Sequence, residues 1–368
     1  MAIYKKGNSY EVRISYKDIK GNYKQHHKTG FKSKEEAEDY IANFKLKLSN
    51  NIIPLKDKIT FSSYFKEWYE TYKEPVISDN TKRRYRTYIR EVKKYFNNKK
   101  LCEVNRKCYQ LIISDYGKTH VKTSVTKFDF AIKSMVKSAI LDGLIDTDFT
   151  KGITLVYNDD NKIEVDYLNL SEIKATVNYL IENLKSSPKT TNNYIFILTG
   201  FLTGMRLGEI QALTWEDIDF ENNKITINKS WDDINFGFKP PKTKASNRVI
   251  DIPSILSNIL KDKKKDKKDK LVFFNNTAHR VPVSQNINKS MRRLFKRLGI
   301  SRNNYHFHSV RHSYVALAYS LGIDFYTISK QLGHANPTTT INTYSYLIEE
   351  FKQEQTDILV KKLDKLFT

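Results

Sequence analysis

Cysteine is nearly absent from this chain. Cys102 and Cys108 are the only two, six residues apart, with no second pair and no histidine cluster nearby. That argues against a zinc site or a disulfide framework, and the thiols are expected to pack as small hydrophobes in a reducing cytosol. No apolar run approaches the length of a transmembrane helix, which sets aside a helical membrane protein. The opening Met1-Ala-Ile-Tyr-Lys-Lys-Gly7 lacks the apolar core of a signal peptide, so a cytoplasmic protein is expected. Internal repeats are missing, and the run Lys261–Lys270 is the only low-complexity tract. Acidic residues are also in deficit. Against 63 lysines and arginines stand 41 aspartates and glutamates, a formal charge of +22 and a pI near 9.6. Lysine and arginine gain affinity for a polyanion by displacing counterions from its phosphates, so the balance points to nucleic acid.

What is there suits two or three domains, since 368 residues are long for one core. Residues 1–50 predict three short strands and a helix. Apolar and polar residues alternate in Glu11 to Tyr16 and again in Tyr23 to Thr29, and Ser33 with Glu36 has the form of a capping box. Arg13, Lys24, His26 and Lys28 are expected to make the open face of that sheet basic. Read alone, the face suits DNA no better than it suits plain solubility. Residues 60–150 predict four helices. Phe61, Phe65, Trp68 and Tyr72 repeat at helical spacing, as do Tyr85, Ile89, Val92 and Phe96. The aromatic stripes read as core. The second helix also carries Arg83, Arg84, Arg86 and Arg90 with few acids beside them, a pattern that favours phosphate contact. The polar stretch Tyr157–Asp166 reads as a linker. Beyond it come helices, three strands (Ile218–Phe220, Lys224–Lys229, Arg248–Ile252) and further helices.

Several segments carry chemistry. Thr203-Gly204-Met205-Arg206-Leu207-Gly208-Glu209 sets an arginine at a helix start, where its fork of donors adds to free backbone N–H groups. In His308-Ser-Val-Arg311-His312, a helical turn puts His308 and Arg311 on one side, while His312 is expected to point elsewhere and be structural. Leu332-Gly333-His334 would end a helix and expose the ring, and Tyr344 follows ten residues later. Pro240-Pro241-Lys242-Thr243-Lys244 reads as a long turn between strands able to carry an ammonium. Two arginines, two histidines and a tyrosine can grip a phosphodiester and attack it with a phenol, with no metal or cofactor required.

These segments resemble the tyrosine recombinases, most closely the integrases of temperate phages and related mobile elements of low-GC bacteria. The likeness is most specific over residues 199–215 and 305–347 and loosest over 1–60. It implies a multidomain α+β fold: an arm-type DNA-binding domain (1–55) of a small three-stranded sheet plus helix, a helical core-binding domain (56–156), and a mainly α catalytic domain (157–368) with a small antiparallel sheet and a C-terminal helical tail. It implies catalytic Arg206, Lys242, His308, Arg311, His334 and Tyr344, with Glu209 supporting Arg206. Lys239 and Lys244 compete with Lys242 as the general acid, and Tyr346 competes with Tyr344 as nucleophile. The resemblance extends to double-stranded attachment-site DNA, a homotetramer on that DNA, an excisionase and a host DNA-bending protein as partners, and a place at the bacterial nucleoid. The stripe Ile358, Leu359, Leu363 and Leu366 is expected to dock on a neighbouring protomer or on its own domain. Two other readings are a chromosome-dimer resolvase, which usually lacks the N-terminal sheet domain, and a DNA-binding regulator that has lost catalysis.

Overall fold

Alternating apolar residues fold the N-terminus into a three-stranded antiparallel sheet, β1 (Ala2–Lys6), β2 (Ser9–Lys17) and β3 (Tyr23–Phe31), in that order. Helix α1 (Lys34–Ser49) covers one face. Its start keeps the Ser33 cap of the expected box, with Glu36 N–H donating to Ser33 Oγ at 3.1 Å, while the Glu36 carboxylate accepts from Lys32 N–H at 2.7 Å, one residue before the cap. In this computed structural model the described residues are 2–7, 9–17, 23–49, 59–160, 166–184, 188–241, 243–265, 269–302, 304–334, 336, 338, 341, 344, 356–357 and 359–367. They fall into two compact units, Met1–Lys162 and Ile163–Thr368.

The sheet corrects one expectation. Val12 and Ile14 are fully buried against Ala37 and Phe44 of α1, and the register pairs them with Lys28 and His26, while Tyr16 pairs with Lys24. Residues paired across an antiparallel ladder share a face, so His26 and Lys28 lie on the covered side. His26 stacks on Phe44 at 4.7 Å, and Lys28 Nζ sits 4.3 Å over the Tyr40 ring. The open face carries Tyr4, Glu11, Arg13 and His27 instead. Glu11 is buried there, 2.6 Å from both Arg13 Nε and His27 Nε2, and Arg13 lies over the Tyr4 ring. These two partners hold the Glu11 carboxyl below its usual range.

The rest of the first unit is helical: α2 (Phe61–Trp68), α3 (Asp79–Phe96), α4 (Arg106–Gly117) and α5 (Lys122–Leu141). Thr60 Oγ1 caps α2 by accepting from Ser63 N–H, Asn105 caps α4, and Gly143, at φ +69°, follows the end of α5. Phe61, Phe65, Trp68, Val92, Phe96, Phe128 and Met135 form its core, so the aromatic stripes are packing. Tyr72 leaves the stripe. The chain passes into one π turn at Tyr69–Lys73, which inserts a residue into the repeat, and Tyr69 takes the buried place.

In the second unit α6 (Leu170–Glu182) and α7 (Pro188–Thr203) precede the short α8 (Leu207–Gln211). Strands β4 (Ile218–Asp219), β5 (Lys224–Ile227) and β8 (Arg248–Asp251) form one antiparallel sheet. Strands β6 (Ser230–Asp232) and β7 (Gly237–Lys239) form a separate hairpin, closed by Trp231 edge-on to Phe238, that the sequence pattern did not predict. Helices α9 (Ser254–Lys264), α10 (Ser284–Leu298), α11 (Phe307–Ser320) and α12 (Phe325–Leu332) follow. Phe196, Ile197 and Phe201 of α7 are fully buried in a core that Phe307 and Val310 of α11 also enter. No helix of the described residues is long and apolar enough to cross a membrane.

Candidate active site

Arg206 owes its position to the glycine two residues before it. Gly204 has φ +65°, and a Cβ there would stand 2.6 Å from Tyr314 and 2.8 Å from Leu332, so backbone and space both demand glycine. The chain then turns and starts α8 at Arg206. Glu209 closes that start by accepting from Arg206 N–H at 2.9 Å and from Arg206 Nη1 at 2.8 Å. The same carboxylate takes a two-pronged contact from Arg248, with Nη1 at 3.1 Å and Nη2 at 2.9 Å. Glu209 and Arg248 are both buried. Burial pushes the Glu209 carboxyl up, but the hydrogen bonds and charge of Arg248, then the charge of Arg206, outweigh it and hold the group below its usual range. Arg248 also donates to the Gln331 carbonyl at 2.7 Å and the Ser246 carbonyl at 3.1 Å, tying β8 to the end of α12.

Arg311, on α11, is only 3% exposed. Its Nη1 donates to the Gly204 carbonyl at 2.8 Å, and its Nη2 donates to the Leu332 carbonyl at 2.7 Å and to His334 Nε2 at 2.9 Å. Of the five N–H groups of a guanidinium, two remain without a partner among the described residues. Burial pushes its pKa down to about 9, with the Arg206 charge adding to the effect, so it stays cationic at neutral pH. A buried cation with spare donors is costly unless an anion completes it. Beside it is a cavity of about 170 Å³, lined by Arg206, Ser284, His306, His308 and Arg311. His308 is exposed at its mouth. Loss of water, then the charges of Arg311, His306 and Arg206, hold its imidazole below the ordinary value.

His334 follows Gly333, which ends α12 at φ +69° as the sequence predicts. The ring accepts from Arg311, so it is the neutral tautomer with its proton on Nδ1. Burial and the neighbouring charges of Arg311, Arg206 and Arg248 take its pKa down to about 4. Tyr344 packs with Val315, Ile328 and Leu332 and is 1% exposed. Burial pushes its phenol up to about 12, while Arg311 and Arg206 pull in the opposite direction. Both arginines therefore act on Tyr344 of the same chain. Its Oη is 2.7 Å from His312 Nδ1. This corrects the expectation for His312, which turns to the tyrosine. Spacing i, i+4 sets His308 and His312 on one helix face, with ring centroids 5.1 Å apart. Burial, then His308 and Arg311, bring the His312 pKa down to about 4, so its imidazole is neutral at pH 7.

Family models match the chain in succession. The arm DNA-binding domain matches residues 2–48, the N-terminal SAM-like domain of phage integrases 60–115, and the phage integrase family 173–350. Over residues 173–350 the chain matches the phage integrase family. A tyrosine recombinase XerC-like protein of Caldanaerobacter subterraneus subsp. tengcongensis is 28% identical over 57% of this chain, which spans 58% of that relative's length. The integrase of Staphylococcus phage L54a is 27% identical over 88% of this chain and 97% of its own. In fold the chain is similar to a lambda integrase tetramer bound to a Holliday junction, with a TM-score of 0.59, 17% identity, and coverage of 91% of this chain and 96% of that one.

Other integrase-family positions stand as follows. Lys242 and Tyr346 lie outside the described residues. Lys239, a rival to Lys242, sits 3.6 Å from Asp232 in an ion pair. Arg83, Arg84, Arg86 and Arg90 are exposed on α3, and none is ion-paired among the described residues. Arg13 is on the open sheet face but shared with Glu11. Sequence reasoning missed Arg248, His306 and Ser284. The Arg248 signal was present in the Ser-x-Arg pattern after Lys242, yet nothing in it indicated that the arginine reaches Glu209, 39 residues away.

Proposed function

We propose that this chain is a site-specific DNA recombinase that integrates and excises a mobile element through a covalent link between Tyr344 and a DNA 3′ phosphate. One observation carries the reading. Arg206 and Arg311, from separate segments, line one cavity, and the charges of both act on the phenol of Tyr344. A scissile phosphate bound there would take the spare donors of Arg311 and the fork of Arg206, with His308 donating at the mouth. Tyr344 attacks phosphorus in line, and the 5′ oxygen leaves with a proton from Lys242. His334 holds Arg311 from behind, and Glu209 holds Arg206. The bond energy is retained in the phosphotyrosyl ester, so a 5′ hydroxyl of a second duplex can reverse the step without ATP. Two duplexes cut at two sites each require four protomers.

The substrate is double-stranded DNA. The four exposed arginines of α3 serve its phosphates, and the small sheet domain serves a separate arm-type site. The sheet domain favours integration and excision over chromosome-dimer resolution. An excisionase and a host DNA-bending protein would set direction. The test is a nicked duplex carrying the direct repeat that flanks the gene, incubated with the protein and run on a denaturing gel. Wild type is expected to leave a covalent protein–DNA band, and Tyr344→Phe none with binding retained. Binding without a band from wild type would leave a regulator that has lost catalysis.

A further inference from the structure

We infer that His312 is the base that takes the proton from Tyr344 when that residue attacks DNA, a role that rests on the recombinase reading above. The geometry carries the assignment. Tyr344 Oη and His312 Nδ1 are 2.7 Å apart, both side chains are buried, and the ring centroids are 5.2 Å apart. A neutral imidazole offers one bare nitrogen. With the phenol as donor, that nitrogen is Nδ1, and the ring proton sits on Nε2. In that tautomer the hydroxyl points its hydrogen at an acceptor before any DNA is bound. His308 lines the phosphate cavity with the two arginines and is suited to donating to a phosphate oxygen, so the two histidines divide the work.

The proton balance closes. As Oη forms its bond to phosphorus, its hydrogen moves to His312 Nδ1. The P–O5′ bond breaks, and the departing oxygen takes a proton from the general acid, assigned above to Lys242. His312 is then an imidazolium, and in the religation step it returns that proton to the departing tyrosine oxygen. Without DNA, His312 is surrounded by positive or protonatable groups: His306, His308 and Arg311 along α11, and His334 from the end of α12. Their charge opposes protonation. A bound phosphate neutralises that field beside Arg311, so the acceptor strengthens when the substrate arrives.

The test uses full-length protein and two nicked duplexes of the flanking-repeat sequence, one with an ordinary scissile phosphate and one with a 5′-bridging sulfur. A thiolate leaves without a proton, so the sulfur substrate removes the need for the general acid. His312→Asn, whose oxygen can replace Nδ1 as acceptor of the hydrogen bond but not of the proton, is expected to bind both duplexes as wild type does. It is expected to cleave both about 10²-fold or more slowly, whereas Lys242→Ala regains its speed on the sulfur substrate. Cleavage by His312→Asn within a few-fold of wild type would overturn the inference and leave the recombinase reading standing. So would rescue of His312→Asn by sulfur, which would place His312 at the leaving group. No adduct from wild type on either duplex would overturn both. If His312→Asn fails to fold, wild type on the sulfur substrate decides. Slower cleavage in D₂O supports a base in the rate-limiting step, and equal rates in H₂O and D₂O overturn it.

Discussion

At the scale of single residues, the site depends on charges buried beside one another. Glu209 neutralises Arg206 and Arg248 together, so Glu209→Ala should leave Arg248 buried without its partner, costing about 3–5 kcal/mol. A chemical denaturation curve checks this, and a loss below about 1 kcal/mol would mean that the pair is dispensable. The folded-state pKa of Glu209 is depressed, so its stabilisation is present above the unfolded value and lost as pH falls through the folded one. His312 and His334 act in the same direction at milder pH. Both fall from 6.5 to about 4 on folding, so between those values the unfolded chain binds more protons. The melting temperature should therefore decline steadily from pH 6.5 toward pH 4, and a flat profile would contradict the burial of these rings as neutral species. Arg311→Lys keeps the charge and loses the fork. Cleavage should drop about 10²–10³-fold, the cost of one donor aimed at a developing oxyanion, with DNA affinity little changed.

At the scale of elements, much was legible in the sequence. The Ser33 cap of α1, the apolar stripe of α3 and the glycine stop at Gly333 appear as read. These are local signals, decided within one turn of chain. What failed was decided at a distance. The covered face of the N-terminal sheet depends on where α1 packs, and the π turn at Tyr69–Lys73 depends on which tyrosine the core accepts. The hairpin β6–β7 has strands of three residues, too short for a period to show. The role of His312 is not legible locally, because its partner Tyr344 lies 32 residues further along the chain. The glycine before Arg206 gives an element-level prediction. Gly204→Ala forces a side chain into a positive φ and against Tyr314, so stability should fall by about 1–3 kcal/mol or more, measurable by thermal unfolding. On α3, replacing Arg83 and Arg86 by alanine should weaken binding to every duplex alike. It should also flatten the slope of log affinity against log salt by about 0.9 per lost phosphate contact.

At the scale of the whole molecule, strand exchange asks more than one chain can supply. Leu359, Leu363 and Leu366 near the C-terminus are 56%, 44% and 73% exposed within a single chain, and in the proposed tetramer a neighbouring protomer would cover this apolar stripe. Ile358, expected on the same stripe, lies outside the described residues. Leu363→Ser with Leu366→Ser should reduce recombination between two duplexes far more than binding to one, read as loss of the slowest-migrating synaptic complex on a native gel. Tyr344, by contrast, is under the influence of its own chain's Arg206 and Arg311, so cutting should not need a borrowed nucleophile. Mixing Tyr344→Phe chains with Arg311→Ala chains should then leave cleavage absent, since neither protomer holds a complete set. The central claim concerns which atom becomes bonded to DNA. Digesting the covalent adduct with protease and nuclease, then sequencing the nucleotide-bearing peptide by mass spectrometry, locates it directly. The mass of a 3′-linked nucleotide on Tyr344 is the predicted result, and the same mass on Tyr346 or any other residue would contradict it.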